Sequence, residues 1–249
     1  TESLHPPTDF NPVGSYRLEF TLPIAWMSPS EQGIPDNRQV ILHFAGVDSA
    51  FSVWLNGNFV GYNEDSRTPA EFNVSSLLKP RRNLLAVEVY RWSDGSFLED
   101  QDAWRLSGIF RDVFLRSISA VHIRDFQSNA TLADNFKEGL LDVRAEIVNH
   151  AGTAPIGSLS LTLLAPDRST LRQTEPVPIP KDGIVTLAVS IPNVLPWTAE
   201  TPNLHQLLLT LRDAGGNIIE VVPQDIGFRR VEIREGRLLL NGQPILIRG

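Results

Sequence analysis

The sequence predicts an all-β protein built from two antiparallel β-sandwiches. Almost every periodic segment alternates apolar and polar residues, which is the period of a strand with one buried face. Residue pairs typical of tight turns, such as Asn56-Gly57 and Asp182-Gly183, separate these segments. We find no apolar spacing typical of an amphipathic helix of three turns. A chain of 249 residues is long enough for two cores, and we expect the second to begin near Ser119.

Residues 1–118 are predicted to form the first sandwich, with elaborated loops. The segment Ser52–Tyr62 is expected to be a hairpin, because Asn56-Gly57 suits a type I′ turn, in which both central residues need a positive φ. The segment Ser75–Lys79 is expected to form one turn of helix at most. The other predicted strands of this part are Ser15–Leu22, Arg38–Phe44, Leu84–Tyr90 and Phe110–Ser117.

Residues 119–230 are predicted to form an immunoglobulin-like sandwich without a disulfide, because short alternating strands recur at the spacing of a seven-stranded domain of about 100 residues. The Pro-rich stretch Pro176–Pro180 is expected to be an exposed edge or loop. The predicted strands are Val121–Phe126, Leu140–Val148, Ser158–Leu164, Ile184–Ile191, Gln206–Arg212 and Ile218–Pro223.

The last segment, residues 231–249, is predicted to contain a hairpin around Asn241-Gly242. Its strands, Arg237–Leu240 and Pro244–Ile247, are very apolar, which suits burial on both faces. An apolar hairpin left exposed is an aggregation hazard. We therefore expect this segment to be the start of a third domain.

The stretch Arg91–Val113 is the predicted functional loop, because it is long, rich in aromatic and charged residues, and lies between two strands. Glycoside hydrolysis needs two carboxylates at a set separation, and Glu99, Asp100 and Asp102 are the candidates here. We do not favour that role, because adjacent residues of one loop point apart. The favoured prediction is that the carboxylates pair with the loop arginines, which are Arg91, Arg105 and Arg111.

The tryptophans divide into two predicted classes. Trp54 and Trp92 alternate into strands and are predicted to be core residues. Trp104 lies inside the loop and is the candidate platform for stacking against a sugar. The five histidines lack the spacing of metal-binding motifs, so we expect no metal site built on them.

Composition argues against several classes of partner. The formal net charge is −7 and no basic cluster offsets it, so we expect no nucleic-acid partner. No apolar run approaches the roughly 20 residues of a transmembrane helix, so we expect no membrane partner. Cysteine is absent, which excludes disulfides and thiolate chemistry and is compatible with a reducing compartment.

Several long motifs occur in order along the chain. The stretch RWSDGSFLEDQDAWRLSGIFRDV, Arg91–Val113, closely resembles a motif of one known family. Other stretches of this kind are Asn11–Arg17, Phe44–Phe51, Val53–Tyr62, Asp65–Phe72, Trp197–Leu204 and Ile226–Gly249. Together they resemble the large bacterial β-galactosidases of glycoside hydrolase family 2. The D-Q-D-x-W-R-x-S-G-I-F-R-D pattern resembles β-galactosidases more than the related β-glucuronidases or β-mannosidases.

This resemblance implies a domain organisation and a parent activity. Residues 1–118 would be a jelly-roll, galactose-binding-like sugar-binding domain, residues 119–230 an immunoglobulin-like domain, and residues 231–249 a truncated entry into a (β/α)₈ catalytic barrel. The parent would hydrolyse terminal β-D-galactosides such as lactose by a retaining mechanism that uses two glutamates. In the family those glutamates and the Mg²⁺ ligands lie in the barrel. The chain itself is therefore expected to be catalytically inert and to need the barrel domains as partners.

The resemblance also assigns individual residues. By motif position, Asp102 is the loop aspartate that contacts galactose and a Na⁺ ion when the barrel is present. His5-Pro6-Pro7 is the nearest match to a sugar-contacting N/D-P-P segment, and it leaves the role of His5 open. A homo-oligomeric parent is expected, in the cytoplasm or alternatively the periplasm. The alternative functions are an independent carbohydrate-binding module and a parent with β-glucuronidase or β-mannosidase specificity.

Overall fold

The chain folds into two compact units, Thr1–Ile118 and Ser119–Gly249. A computed structural model describes residues 6–7, 9–27, 34, 38–99, 102, 104–150 and 157–246. Two residues considered above, His5 and Asp100, lie outside these ranges. The described strands of the first unit are β1 (Val13–Phe20), β2 (Arg38–Phe44), β3 (Val47–Asp48), β4 (Ala50–Leu55), β5 (Asn58–Glu64), β6 (Ala70–Asn73), β7 (Asn83–Tyr90), β8 (Gly108–Ile109) and β9 (Val113–Ser119).

Two facing sheets form the first unit. One is antiparallel with the strand order β1-β7-β4-β5, and the other has the order β6-β2-β9. The short strands β3 and β8 pair separately. Among the residues of this unit that the structure describes, helical structure is limited to 3₁₀ turns at Ile24–Trp26 and Ser75–Leu77 and to the helix α1, Gly95–Leu98. The second of these turns agrees with the single turn predicted at Ser75–Lys79.

The core of the first unit follows from the period-two pattern of its strands. On β7, Leu85, Val87 and Val89 are buried while the residues between them are only half-buried. They pack with the side chains of the facing sheet, and the rings of Phe44 and Phe51 lie 4.8 Å apart at its centre. Each fully buried side chain of this size contributes about 1.5–3 kcal/mol.

The predicted Asn56-Gly57 hairpin between β4 and β5 is confirmed, with φ of 54° and 86° at the two turn residues. Asn56 has a second role that the pattern does not reveal. Its Nδ2 donates to Oδ1 of Asn83 at 2.9 Å, and its Oδ1 accepts from the backbone N–H of Leu84 at 2.9 Å. Asn83 is fully buried and also exchanges two hydrogen bonds with the backbone of Lys79. The turn is thereby fixed to the start of β7.

The second unit is also a sandwich. One sheet has the strand order β10-β11-β15 and the other has the order β13-β12-β16-β17, with β14 paired to the end of β12. The strands of this unit are β10 (Val121–Leu132), β11 (Gly139–Asn149), β12 (Gly157–Leu164), β13 (Thr170–Gln173), β14 (Val177–Pro178), β15 (Ile184–Ile191), β16 (His205–Asp213), β17 (Ile218–Ile226), β18 (Val231–Arg234), β19 (Arg237–Leu240) and β20 (Gln243–Pro244).

The second core is made by alternating leucines. Leu159, Leu161 and Leu163 on β12 are fully buried, as are Leu207, Leu209 and Leu211 on the neighbouring strand β16. The prediction of an exposed edge in the Pro-rich stretch is confirmed, because β14 is an exposed two-residue strand. The prediction of an all-β protein is confirmed for both units.

The segment after β17 forms a three-stranded meander, β18-β19-β20. The predicted Asn241-Gly242 turn is confirmed, and Asn241 also accepts from the backbone N–H of Arg230 and donates to the carbonyl of Trp197. Burial on both faces is not found in the described residues of the two predicted strands. Leu239 on β19 is buried, but Leu238 and Leu240 beside it are only half-buried, and the side chain of Leu246 is 86% exposed. That this segment begins a barrel stays a prediction.

Two tryptophan predictions are wrong. Trp54 and Trp92 are half-buried rather than core residues. Trp54 lies on the outer face of β4 and packs edge-on against Phe59, with ring centroids 5.6 Å apart. Trp92 follows the end of β7 and faces Phe97 at 6.4 Å. Trp54 was assigned to the wrong face of its strand, whereas Trp92 lies beyond the end of the strand. The helices in the described part of the chain lack the length and apolar character that a transmembrane span requires.

Candidate functional site

The candidate site is the 91–112 loop, which connects β7 to β9 and consists of residues 91–112. Its first residues are fastened to the chain segment just before β1. Asn11 exchanges two hydrogen bonds with the backbone of Trp92, donating to its carbonyl at 2.9 Å and accepting from its N–H at 3.0 Å. The N–H of Arg91 donates to the carbonyl of Pro12 at 3.0 Å. The amide side chain of Asn11 thus makes the pair of hydrogen bonds that the backbone of a neighbouring strand residue would make with Trp92. These bonds fix the position at which the loop begins.

The helix α1 gives the first half of the loop its shape. Its turn is closed by the N–H of Glu99 donating to the carbonyl of Gly95 at 2.8 Å. The guanidinium of Arg105, from the returning half, donates to the carbonyl of Ser96 at 2.6 Å and to the carbonyl of Glu99. These carbonyls lie at the C-terminal end of the turn, where a cation is favourable. Arg105 therefore fastens the two halves of the loop together.

Contacts with the segment after β5 hold the loop from another side. Oε1 of Glu99 accepts from the backbone N–H of Ser66 at 2.9 Å. Arg67 donates to the carbonyl of Trp104 at 3.3 Å, and Arg111 donates to the carbonyl of Arg67 at 3.1 Å. The ring of Phe110 lies 5.3 Å from the guanidinium carbon of Arg67 and 5.2 Å from that of Arg111, a range in which cation–π attraction operates.

The predicted pairing of loop arginines with loop aspartates is wrong for two of the three. In the described part of the chain, Arg111 donates to the carbonyls of Ala45 and Arg67, and Arg91 lies over the ring of Trp92 at 5.5 Å. Backbone carbonyls replace carboxylates because the loop is folded back on neighbouring segments, which present their main-chain oxygens to it.

A small polar cavity lies at the base of the loop. Its volume of about 30 Å³ is close to the share of one water molecule in the liquid. Ligand pockets usually have about 300 Å³ or more, so this cavity suits water rather than a sugar ring. The residues that line it are Asp48, Ser49, Ser66, Arg67, Arg91, Trp92, Ser96, Glu99, Arg105 and Ser107.

Asp48 is the buried acid of this cavity. It lies on β3, where it pairs with Gly108 of β8, so the returning half of the loop passes beside it. Burial raises the pKa of its carboxyl, the positive charge of Arg67 opposes that shift, and the nearby charge of Glu99 adds to it. A perturbed carboxyl at a loop base is a feature of functional sites, but the small cavity gives it access to water only.

The two residues predicted to touch the sugar lie on the outside of the loop. Trp104 is 87% exposed, and Asp102 is also exposed. Neither of them lines the cavity, which is lined instead by the buried Asp48 and the half-buried Glu99. An exposed indole and an exposed carboxylate are available to a ligand only if another surface supplies the remaining walls of a pocket.

Sequence reasoning missed three residues that build this site. Asp48 and Ser66 were seen only as parts of motifs, and Asn11 only as the first residue of another. The available signal was the side-chain chemistry of Asn11, since Asn is well suited to hydrogen bonding with backbone. Nothing in the local sequence indicates its partner, which is 81 residues away.

Metal ligation is limited among the described residues. They contain no group of three or more His, Asp or Glu side chains that could hold a metal ion. Mg²⁺ normally takes six oxygen ligands, several of them water, with one or two carboxylates. Asp102 offers a single exposed carboxylate, so these residues alone do not fit a complete Na⁺ or Mg²⁺ site.

Comparison with known families matches both units. The sugar-binding domain of the glycosyl hydrolases family 2 matches residues 3–118, and a second domain of the glycosyl hydrolases family 2 matches residues 121–229. The chain belongs to glycosyl hydrolase family 2. The predicted resemblance is therefore confirmed, and the jelly-roll and immunoglobulin-like assignments of the two sandwiches are those of this family.

Relatives of this family 2 chain differ in name. It is 43% identical to a β-galactosidase of Priestia megaterium over its whole length, and it spans 24% of that relative. Among solved structures, a β-glycosidase from Bacteroides vulgatus has a TM-score of 0.75 at 24% identity, covering 95% of this chain and 28% of that one. A β-glucuronidase from Bacteroides uniformis has a TM-score of 0.79 at 22% identity, covering 96% and 29%. Structural similarity to proteins of such low sequence identity shows only that the fold is shared.

Proposed function

We propose that this chain is the non-catalytic amino-terminal part of a retaining β-galactosidase, which hydrolyses terminal β-D-galactosides such as lactose. The observation that carries the proposal is the 43% identity to the Priestia megaterium β-galactosidase over the whole of this chain. In the proposal, the catalytic glutamates and the Mg²⁺ ligands belong to a barrel domain that acts as the partner of this chain. The chain supplies the scaffold and the 91–112 loop.

The loop geometry supports a role at the rim of an active site. Its backbone is held at its beginning by Asn11, in its middle by Glu99 and Arg105, and at its end by Arg111. A loop held at so many points can present side chains in fixed positions, and fixed position is what substrate orientation requires. The exposed side chains of Asp102 and Trp104 are those available for presentation.

Asp102 is proposed to contact the galactose and a Na⁺ ion once the barrel provides the other ligands. A Na⁺ ion at that place would supply positive charge to substrate hydroxyl oxygens. Trp104 is proposed to stack against the apolar face of the sugar, as exposed aromatic side chains do in carbohydrate sites. Neither of these proposed contacts requires Asp102 or Trp104 to act as a catalytic acid or base.

Glucuronide specificity is the competing proposal. Several solved relatives are named β-glucuronidases, but they are 15–24% identical to this chain, well below the identity to the β-galactosidase. A second alternative is an independent carbohydrate-binding module, which the two exposed loop side chains would favour. No observation on the described residues favours β-mannosidase specificity.

The experiment is an assay of two nitrophenyl glycosides, the β-galactoside and the β-glucuronide. The longer polypeptide that contains this chain is expected to have kcat/KM at least ~100-fold higher for the β-galactoside, because a site that hydrogen-bonds one sugar substituent rejects the analogue lacking it. The purified chain alone is expected to turn over neither. A preference for the glucuronide would overturn the proposed substrate, and turnover by the chain alone that is abolished by Asp102→Asn would overturn the non-catalytic role.

A further inference from the structure

An open cleft lies within the second unit, and we call it the β10–β17 cleft. Its volume is about 570 Å³, within the range of about 300–1,000 Å³ that small-molecule sites occupy. Its walls come from β10, from β17 and the residues after it, and from the segment between β15 and β16. Most of its side chains can form hydrogen bonds. These side chains are Ser128, Asn129, Thr131, Trp197, Gln224 and Arg229.

Among the described residues that line the cleft, Arg229 is the only charged one. Its guanidinium carbon lies 4.8 Å from the centre of the Trp197 ring, a distance at which cation–π attraction operates. In the part of the chain that the structure describes, no carboxylate pairs with Arg229. The next residue, Arg230, is paired with Asp134 at 2.6 Å and with Glu232 at 3.1 Å. Of two adjacent arginines, one is thus neutralised by carboxylates of the protein and the other is left for a ligand.

The main chain holds Trp197 and Arg229 in fixed positions. The backbone N–H of Trp197 donates to the carbonyl of Phe228 at 2.9 Å. The side chain of Asn241 donates to the carbonyl of Trp197 and accepts from the N–H of Arg230. The residues on both sides of Arg229 are therefore tied to the segment that carries the indole. A guanidinium over an aromatic ring keeps its N–H donors at its edges, where a carboxylate can accept two of them.

The other polar side chains of the cleft have unused hydrogen-bonding groups. The hydroxyl of Ser128 donates to Oε1 of Gln224 at 2.9 Å, which leaves the amide N–H groups of Gln224 and the lone pairs of Ser128 for a ligand. The side chains of Asn129 and Thr131 make no hydrogen bond within the described part of the chain. A wall of hydroxyl and amide groups suits a ligand that carries several hydroxyl groups.

We propose that the β10–β17 cleft is a binding site for a sugar acid. The carboxylate of the ligand pairs with Arg229, and its hydroxyl groups bond to the polar side chains of β10 and β17. A single cationic side chain matches the single negative charge of a carboxylate. A phosphate monoester carries about −1.5 to −2 charges at pH 7 and is matched less well.

The proposed site belongs to the second unit, whereas the 91–112 loop belongs to the first. It would give the chain an affinity for acidic carbohydrate, whichever glycoside the longer polypeptide hydrolyses. The proposal therefore holds or fails independently of the proposed function.

The test is an NMR titration of the isotope-labelled chain with matched sugars. The probes are sodium D-galacturonate and sodium D-glucuronate, and D-galactose and D-glucose have a CH₂OH group in place of the carboxylate. At least one acid is expected to shift the Nε–H signal of Arg229 and the indole N–H signal of Trp197 saturably, while the indole signal of Trp54 stays unchanged. The matching neutral sugar is expected to bind at least ~10-fold more weakly, because it lacks the charge-assisted hydrogen bonds.

Three variants test the role of the guanidinium. Arg229→Gln removes the charge and is expected to weaken binding of the acid at least ~10-fold. Arg229→Lys keeps the charge but not the planar pair of donors, so an intermediate affinity is expected. Arg172→Gln makes the same charge change on β13, at the edge of the sheet opposite β17, and should leave binding unchanged. Both arginines are exposed, so these changes should not prevent folding.

A second measurement uses the longer polypeptide that contains this chain. Calorimetry with the acid that binds the chain is expected to show binding that Arg229→Gln weakens and Arg172→Gln does not. If the longer polypeptide shows no binding that depends on Arg229, another part of that polypeptide covers the cleft and the proposal is overturned.

The titration itself has further outcomes that would overturn the proposal. One is that neither acid binds, or that the neutral sugars bind as tightly as the acids. Another is that sodium acetate binds as tightly as the sugar acids, which would make the cleft a general anion site. Tighter binding of inorganic phosphate than of either acid would assign the cleft to phosphorylated ligands instead. Equal losses in Arg229→Gln and Arg172→Gln would show that only the net charge of the chain matters.

Discussion

At the scale of single residues, two turn glycines share a positive φ, but only one of them is crowded by neighbouring atoms. Comparing them therefore distinguishes the energetic cost of the backbone conformation from that of a steric clash. Gly183 and Gly216 both have a positive φ, 74° and 82°. A Cβ on Gly183 would lie 2.3 Å from the carbonyl oxygen of Ile147, whereas a Cβ on Gly216 would meet nothing within 4 Å. We predict that Gly216→Ala lowers the free energy of unfolding by about 1 kcal/mol, the cost of the conformation alone. Gly183→Ala should cost about 3 kcal/mol or more.

Urea unfolding of the chain, with hydrogen exchange to locate the change, measures both effects. Gly216→Ala is the control for Gly183→Ala, since it carries the same residue type and nearly the same φ. Equal losses in the two variants would show that the backbone near Ile147 moves aside freely. That result would contradict the close approach between the 182–183 turn and β11.

His205 gives the second unit a predicted dependence on pH. Its side chain is 1% exposed, and its ring packs edge-on against Phe228 at 5.1 Å. Burial lowers the pKa of His205 below its ordinary value of 6.5. The folded state therefore binds fewer protons than the unfolded state just below pH 6.5. The contribution of His205 to the free energy of unfolding is therefore constant above pH 6.5. It decreases as the pH falls from 6.5 through the lowered pKa of the folded state, because the unfolded state then binds the additional proton.

We predict that the free energy of unfolding of the native chain falls relative to that of His205→Gln across this window, by at most about 1.4 kcal/mol per pH unit. Above pH 6.5 the difference between the two proteins should be constant. His150→Gln, at an exposed position, serves as the control and should not remove the dependence. A constant difference between the native chain and His205→Gln at all pH values would show that this residue does not titrate differently on folding.

Turn residues show what local sequence can and cannot predict at this scale. Asn and Gly tolerate positive φ, and the Asn56-Gly57 and Asn241-Gly242 turns were predictable for that reason. The turn between β18 and β19 was missed because it has Glu235 at φ 51° before Gly236. Glu has no local preference for that conformation, so the pairing of the flanking strands imposes it.

At the scale of elements, strand existence was more predictable than strand extent. The strand predicted at Val121–Phe126 continues to Leu132 as β10. Its second half, Gln127–Thr131, is mostly polar because β10 is the edge of its sheet and buries little. Apolar and polar residues alternate along a strand because one of its faces is buried. An edge strand that buries little therefore shows only weak alternation in the sequence.

The 91–112 loop gives an element-scale prediction about Glu99. Its Oε1 accepts from the N–H of Ser66, and a hydrogen bond to a charged group contributes about 1.5–3 kcal/mol. We predict that Glu99→Ala speeds hydrogen exchange at the Ser66 amide at least ~10-fold. Glu99→Gln keeps a side-chain oxygen at the same place and should speed it much less. If the two variants exchange alike, or if Glu99→Ala leaves Ser66 unchanged, Glu99 does not hold the loop.

At the scale of the whole molecule, two all-β sandwiches were predictable and the working geometry of the loop was not. The sandwiches follow from alternation summed over many strands, and errors in single strands, such as the face assigned to Trp54, do not change them. The loop depends on a few contacts between distant positions, such as Asn11 with Trp92 and Ser66 with Glu99. Local patterns carry no information about such partners, and only the resemblance of the motif marked the loop as functional.

The arrangement of the loop leads to a last prediction, which concerns sugar binding by the chain on its own. The cavity at the loop base has room for about one water molecule, and Trp104 and Asp102 project from the loop into solvent. One exposed stacking surface and one exposed carboxylate yield little net affinity after the entropy cost of association. We expect calorimetry with methyl β-D-galactoside to show no saturable binding up to millimolar concentration. Saturable binding that is lost in both Trp104→Ala and Asp102→Ala, but kept in Trp54→Ala, would contradict this expectation. The chain would then be a carbohydrate-binding module in its own right, because the loop alone would supply enough of a pocket to hold the sugar.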